Sequence, residues 1–380
     1  MPKQQYVEFH ILQTVPPANL NRDDQGNPKE AFFGGVRRSR VSSQAWKRAT
    51  RIEFDRHLPE ADQSTRTKQI AKQLSERLKG RTGLEAEQVQ RLAGALLEPL
   101  GIKAGRKAGD TAYLLYYGGG QLDRIVDLIA DRATDLAAAS DDDLTAAVKG
   151  LKIAEELKTS HPMGVALFGR MVADIPSLNV DAAAQVAHAL STHRVELESD
   201  YYTAVDDANE SDDTGAGMIG NIGFNSATLY RYAAVGVHQL IDNIGSKDAA
   251  LDAVHRFGRA FALSMPTGHI TSFAHRTRPS LVAVVVRDDQ PVNLVSAFER
   301  PVPATDPSGA ALGVAAESAG SLAREYLRSV RQWGDEPAHA AVSHAFDGDA
   351  DDDIARAFGG NLPFEEMLQR LDQTLARTWS

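Results

Sequence analysis

Between Arg37 and Arg51 the chain reads RRSRVSSQAWKRATR, which places Arg37, Arg38, Arg40, Lys47, Arg48 and Arg51 together with no acidic residue. Cations at that density bind phosphate through charge-assisted hydrogen bonds. A helix opening at Ser43, with Ser42 or Ser43 as its N-cap, puts Gln44, Lys47, Arg48 and Arg51 at i, i+3, i+4 and i+7, on one face. Trp46, Ala49 and Ile52 then turn toward the core. A helix N-terminus offers unpaired N–H groups and the positive end of its dipole to an anion. Ser42 and Ser43 add hydroxyl donors, and Gly34 and Gly35 permit close backbone approach. The chemistry is that of a clamp on a nucleic-acid backbone, which positions the strand without reading bases. A solvated basic helix face has the same composition, and charge alone leaves both readings open.

Other constellations carry less. Lys103, Arg106 and Lys107 sit among Gly101, Gly105 and Gly109, as a loop touching phosphate or a loop that only solubilises. GAGMIG (215–220) has the G-x-G-x-x-G spacing but follows ESDDT, an acidic lead-in that repels pyrophosphate. His188 and His193 are five apart, not at the i, i+4 spacing of a zinc helix. His269 and His275, beside Arg276 and Arg278, could act as acid and base in a metal-free ribonuclease, or simply be polar loop residues. Asp347, Asp349 and Asp351 start like a calcium loop, but Phe358 stands where the closing glutamate belongs. No serine nucleophile motif is present. No cofactor and no metal are expected, and no catalytic residue is assigned.

The body that must position these residues has 380 residues, 43% of them hydrophobic, with a net charge of -10. That length allows one large domain or two to three smaller ones. The acidic balance excludes a uniformly basic nucleic-acid coat. A local basic stripe remains possible, because exposed fields decay within about 8–10 Å at physiological salt. With no cysteine, disulfides, cysteine–zinc sites, iron–sulfur clusters and thiol nucleophiles are excluded. A cytoplasmic location is expected: no signal peptide and no apolar run near the roughly 20 residues of a membrane span is evident.

Residues 6–12 alternate and predict a strand with one buried face. Residues 43–57 predict a helix. From 60 to 160 the chain is helical in pattern, with Ile70, Leu74 and Leu78 as one stripe, interrupted at 101–109 and 118–120. Residues 163–173 predict another helix, 184–193 fit strand or helix, and 196–223 form an acidic, Gly-rich stretch. Residues 228–238 alternate. Residues 246–265 predict a helix through Leu251, Val254, Phe257, Phe261 and Met265, and 281–286 a strand buried on both faces. After an acidic loop at 347–353 the tail is helical through Phe364, Met367, Leu371 and Leu375. With the helical insertion set aside, the order is βαββαβ, so an α+β, ferredoxin-like fold is expected. The aromatic signature of an RNA-recognition module is absent.

PPANLNRDDQGNPKEAFFGGVRRSRVSSQAWKRATR (16–51) resembles the N-terminal signature of the CasC-type backbone subunit of type I-E CRISPR Cascade. ALFGRM (166–171), VAHALSTHRVELESDYYTAVDD (186–207), GFNSATLYRYAAV (223–235) and NLVSAFERPV (293–302) are similar to later blocks of that family, in the same order. The resemblance spans about residues 6–305. It implies a hand-like, RRM-like architecture: a palm from 1–59, 181–193 and 224–305, helical fingers from 60–180, a hairpin thumb from 194–223, and a C-terminal helical segment from 306–380. It implies an oligomeric, non-catalytic subunit that polymerises along the guide RNA (crRNA) in antiviral defence. Implied phosphate contacts are Arg22, Lys29, Ser42, Gln44, Lys47 and Arg48, joined by Arg37, Arg38, Arg40, Ser43 and Arg51 from the basic segment. Met171 would pack against a displaced guide base, with Tyr201, Tyr202 and Thr203 at the thumb base. His269 and the Lys103–Lys107 loop are further candidate contacts, the latter on the finger side. Implied partners are the guide, target DNA paired to it, neighbouring copies, other Cascade subunits and a helicase-nuclease recruited to the assembled complex, with no membrane. The alternative is a metal-independent CRISPR RNA-processing ribonuclease using a loop histidine.

Overall fold

The computed structural model describes residues 4–102, 110–204 and 218–380. In chain order the strands are β1 (Tyr6–Ala18), β2 (Glu30–Phe33), β3 (Val36–Val41), β4 (Ser64–Thr67), β5 (Leu115–Gly118), β6 (Ala184–Val186), β7 (Ala189–Ser191), β8 (Glu198–Ala204), β9 (Met218–Gly236), β10 (Leu281–Arg287) and β11 (His339–His344). The helices are α1 (Ser43–Asp55), α2 (Ile70–Thr82), α3 (Ala86–Leu97), α4 (Gly119–Asp127), α5 (Ala133–Ala138), α6 (Asp141–Lys149), α7 (Ile153–Lys158), α8 (Met163–Phe168), α9 (Val237–Ile244), α10 (Lys247–Leu263), α11 (Ile270–Phe273), α12 (Val314–Trp333), α13 (Asp349–Phe358) and α14 (Phe364–Thr378). The class is α+β. No helix among the described residues is long and apolar enough to cross a membrane.

The chain divides into two units, one of 1–53, 185–234 and 255–380, the other of 54–184 and 235–254. The first is built on a sheet of order β11-β10-β1-β9-β7-β3-β2, with β6 and β8 also paired to β9. β10 runs antiparallel to β1 from Tyr6↔Arg287 to Leu12↔Leu281, and all seven of its residues are buried, as its β-branched run requires. β1 is buried on both faces rather than one, because Glu8 and His10 are covered along with Val7, Phe9 and Ile11. Their polar atoms are satisfied internally: His10 Nδ1 lies 2.9 Å from the Tyr230 hydroxyl and Nε2 3.2 Å from Glu8, which also accepts from Arg287 Nε at 3.3 Å. On one side Phe257 of α10 meets the Phe9 ring at 5.8 Å. On the other, Leu322, Ala323 and Tyr326 of α12 and Phe358 of α13 join a core with Leu12, Tyr230 and Ala283.

Two expectations for the tail change. A short edge strand, β11, pairs with β10. Of the acidic run at 347–353 only Asp347 and Gly348 are loop; from Asp349 it is helix, with Asp349, Asp351 and Asp352 in the first turn of α13, where negative charge opposes the helix dipole favourably.

The second unit bears out the helical stripe: Ile70, Leu74 and Leu78 are all fully buried against Val89, Leu92 and Leu96 of α3 and Ile125 of α4. It also contains a two-stranded sheet, β4–β5, that the helical pattern concealed. The helix expected at 163–173 stops at Phe168. Gly169 has φ +74°, and a Cβ there would lie 2.8 Å from the Val180 carbonyl oxygen.

Candidate nucleic-acid interface

The loop from 19 to 29 is fixed by short-range hydrogen bonds typical of Asn- and Asp-rich turns. Asp23 Oδ1 accepts from the Gln25 and Asn27 amides, each at 2.9 Å. Asn19 Nδ2 donates to Gly26 O at 2.8 Å and to Gly223 O at 2.9 Å, tying the loop to β9. Asn21 then joins the loop to the start of α1: its Oδ1 accepts from Ser42 N–H at 2.8 Å, and its carbonyl accepts from Lys29 N–H at 2.8 Å. Lys29 O in turn accepts from Arg40 N–H at 2.9 Å. Arg22, Lys29, Arg40 and the N-terminus of α1 are therefore held on one bonded framework.

Ser42 is the N-cap. Its Oγ accepts from Ala45 N–H at 3.3 Å and its carbonyl from Trp46 N–H at 3.1 Å. Ser43 N–H donates to His188 Nδ1 at 2.9 Å. An acceptor nitrogen requires a neutral ring with its proton on Nε2. Burial, then Arg40 and Lys29, lower the His188 pKa, which agrees with that state. The open seat expected at this helix end is thus partly occupied, since Ser43 and Ala45 have already committed their amides. What remains for an anion is mainly side-chain charge.

The phase of α1 differs from the expected one. Trp46, Thr50 and Phe54, at i, i+4 and i+8, form the buried stripe. Thr50 Oγ1 lies 3.2 Å from Ser264 Oγ, and the Arg231 guanidinium sits 3.7 Å from the Trp46 ring centroid. Ile52, expected in the core, is exposed. Gln44 and Arg48 are exposed, while Lys47 and Arg51 are half-buried. Burial lowers the Lys47 pKa. Among the described residues Lys29, Lys47 and Arg48 have no carboxylate partner, and the Arg22 guanidinium hydrogen-bonds His269 at 3.3 Å.

Adjacent arginines on β3 point opposite ways, as strand geometry dictates. Arg37 is exposed and donates to Glu30 at 2.6 Å. Arg38 corrects the expectation of a phosphate contact. It is fully buried and donates to the carbonyls of Phe33 at 3.2 Å, Ser191 at 3.0 Å and Phe298 at 2.7 Å. Its guanidinium braces the sheet. Arg40 Nε donates to Glu30 O at 3.2 Å and is half-buried.

Met171, in the second unit, is 84% exposed on a rigid loop. Buried Arg170 donates to Leu178 O at 2.6 Å and Tyr116 O at 3.3 Å, while Val172 N–H donates to Asn179 Oδ1 at 2.6 Å. Arg170 and Asn179 were not singled out from sequence; the sign available was an arginine beside a methionine at the end of an apolar helix. Tyr201 and Tyr202 are 62% and 43% exposed on β8, facing Asn221 and Gly220 across the hairpin with β9. A Cβ at Gly220 would lie 2.4 Å from the Tyr202 ring, so the glycine makes room for it. Thr203 is exposed. Lys103, Arg106 and Lys107 lie outside the described residues, as does the 206–217 part of the expected thumb tip.

His275 is buried, with Nε2 3.1 Å from Pro266 O, so it does not share the surface with His269. The end of GAGMIG, Met218–Gly220, opens strand β9 and not a helix. Among the described residues no group of three or more His, Cys, Asp or Glu could hold a metal ion.

A family model described as CT1975-like protein matches residues 7–370. A solved chain of a "CRISPR RNA-guided surveillance complex, pre-nicking" superposes with a TM-score of 0.80 at 30% identity, covering 97% of this chain and 100% of that one. A chain of a "CRISPR RNA-guided surveillance complex" gives 0.72 at 28% identity, covering 97% and 99%. No curated protein matches this chain.

Proposed function

The chain belongs to the CT1975-like protein family, and on that premise we propose that it is a non-catalytic, RNA-binding backbone subunit of a CRISPR RNA-guided surveillance complex. The observation that carries this reading is the set of cations Arg22, Lys29, Lys47 and Arg48 around the start of α1, which have no carboxylate partner among the described residues, in a protein of net charge -10. A half-buried lysine with no carboxylate nearby favours an anionic ligand, because the ligand restores the stabilisation that water gave.

The hand-like layout is part of the proposal. β10, β1, β9 and β7 lie side by side, α1 falls between β1 and β7 in the chain, and α10 between β9 and β10. That arrangement supports a ferredoxin-like palm of 1–59, 181–193 and 224–305. The helical 60–180 segment would be the fingers, the β8–β9 hairpin within 194–223 the thumb, and 306–380 a C-terminal helical segment. Arg22, Lys29, Arg37, Arg40, Ser42, Ser43, Gln44, Lys47, Arg48 and Arg51 would follow guide phosphates. Met171 would pack against a displaced base, Tyr201, Tyr202 and Thr203 at the thumb base would contact the guide, and the remaining bases would pair with target DNA. Sequence reading then belongs to base pairing, and the protein holds only backbone and shape. Neighbouring copies, other complex subunits and a recruited helicase-nuclease complete the assembly.

The rival, a ribonuclease acting through a loop histidine, needs a second acid–base group beside His269, and His275 is turned inward. Incubating the purified chain with repeat RNA separates the two, since cleavage abolished by His269→Ala belongs only to the rival. For the clamp, Lys47→Ala with Arg48→Ala should flatten the salt dependence of RNA binding by about 1.4 in log–log slope, at about 0.7 per phosphate contact on a single strand. The loss should be equal for unrelated sequences. An unchanged slope defeats the clamp.

A further inference from the structure

Residues 266–278 (PTGHITSFAHRTR) pack against the segment that carries Arg22. The protein has 51 acidic residues, yet none falls between Phe257 and Arg287. His269 at φ 49° and Ala274 at φ 45° are two of the three non-glycine residues with positive φ among the described residues, and they bracket α11. Side chains in that region persist only where the surroundings over-determine them, and here they do. A Cβ on Gly268 would lie 2.4 Å from the Leu20 carbonyl oxygen, so the loop backbone rests directly on the segment that carries Arg22. Thr277 Oγ1 donates to Thr14 O at 2.8 Å, and Thr277 O accepts from Gln13 Nε2 at 3.0 Å.

With His275 and Thr277 anchored inward, Arg276 and Arg278 alternate outward. Both are exposed and have no carboxylate partner among the described residues. Thr271 and Ser272 are exposed on the same loop. Arg22 Nη1 donates to His269 Nε2 at 3.3 Å, which makes the ring neutral there and aims the guanidinium.

We infer that this loop is a second arm of the phosphate clamp: Arg276 and Arg278 bind phosphodiester oxygens of the same RNA strand that Arg22 holds, and His269 is the positioning residue for Arg22. The ligand class is a single-stranded polyanionic backbone, with Thr271 and Ser272 as neutral donors. The inference rests on the RNA-binding reading proposed above.

The test uses the full chain and unstructured RNAs of unrelated sequence. Arg276→Ala with Arg278→Ala should lower the log–log salt slope by about 1.4, at about 0.7 per lost contact, and leave the unfolding midpoint unchanged. Restoring charge with Arg276→Lys and Arg278→Lys should recover most of the slope, since a point charge suffices for phosphate. For positioning, His269→Leu should cost as much slope as Arg22→Ala, and combining them should cost no more, whereas His269→Gln should retain binding. If the Arg276/Arg278 slope matches the parent while the Lys47/Arg48 variant loses slope, the second arm is wrong and the clamp stands. If neither variant loses slope, the RNA-binding reading itself fails. Additive losses for Arg22 and His269 would overturn the positioning role.

Discussion

Arg38→Ala separates a brace from a contact. In a basic segment meant wholly for phosphate, removing Arg38 would cost RNA affinity and leave the fold alone. The structure requires the opposite. Arg38 is fully buried and donates to the carbonyls of Phe33, Ser191 and Phe298, at 2.7–3.2 Å, joining β2, β7 and the 294–298 turn. Alanine removes these three charge-assisted bonds, together with a longer one to Glu299 O at 3.4 Å, and leaves their carbonyl acceptors covered. A hydrogen bond to a charged group is worth about 1.5–3 kcal/mol, and the three share one donor and do not add fully, so the expected loss is about 3–5 kcal/mol. Arg37→Ala, one residue away, removes an exposed pair with Glu30 and should cost no more than about 1 kcal/mol. Urea unfolding followed by tryptophan fluorescence reads the difference as a shift in midpoint at constant slope. Arg38→Lys should recover little, because one ammonium cannot reproduce a planar fork reaching separate carbonyls. Were Arg38→Ala as stable as the parent and Arg37→Ala the more damaging, the brace would be refuted.

Gly34→Ala should be strongly destabilising, because φ is +61° and the new Cβ would lie 1.6 Å from the Glu299 carbonyl oxygen; Gly35→Ala, with nothing near its Cβ, isolates the φ cost, and thermal unfolding compares them. Met171→Ala should change stability by less than about 0.5 kcal/mol, since the side chain is 84% exposed, while disturbing the spacing of subunits on guide RNA seen by nuclease footprinting; unaltered spacing removes Met171 from the base contact. Tyr201→Ala should weaken guide binding by about 1–3 kcal/mol if a base stacks there, with Tyr201→Phe close to the parent. His161 has its pKa lowered from 6.5 to about 4 by burial and by Arg170, so the unfolded chain binds more protons in that window. Stability is therefore full above pH 6.5 and falls as pH drops toward 4, and His161→Gln should lose that part of the acid sensitivity in a pH series of urea midpoints.

Helical spacing showed which residues of α1 share a face, but not which face meets the core. Trp46 is buried in either phase. Thr50 settles it, through Ser264, a partner 214 residues away in the chain, and Phe54 is buried in the same phase. Ile52 was drawn inward by hydrophobicity and is outside, since the stripe runs 46–50–54. Arg38 could not be told from Arg37 by composition. Its burial depends on carbonyls at 191 and 298, which no local pattern reveals. β11, HAAVSH, has weak alternation and exists because β10 offers it an antiparallel edge. β1 was legible from its alternation and β10 from its β-branched run, patterns that themselves favour a strand. Asn21 and His188, which organise the start of α1, carry no signal at all until the loop closes.

An acidic protein can hold RNA because its charges are not distributed as its net charge suggests. In the second unit Arg77 meets Asp123, Arg91 meets Asp141 and Arg124 meets Glu156, each within 3.1 Å, so those cations are neutralised where they stand. In the first unit Arg287 serves buried Glu8. Arg22, Lys29, Lys47 and Arg48 have no such partner among the described residues, and screening confines the repulsion of the acidic body to about 8–10 Å. Attraction is then local to the cations around α1 and the 266–278 loop, in a protein whose net charge of -10 disfavours polyanions elsewhere. On the proposed reading, that arrangement would penalise wrapping of stray nucleic acid around the body and reward a single strand lying along residues 22–48. It follows that added salt acts on two opposed terms: it weakens the clamp's grip and relieves the body's repulsion. Reversing the repulsion by substituting exposed acidic residues outside the basic segment, such as Asp349 and Asp352 on α13, should raise binding to unrelated duplex DNA more than binding to single-stranded guide RNA. Equal gains for both would mean that the body's charge acts uniformly and that the framework around α1 supplies no discrimination.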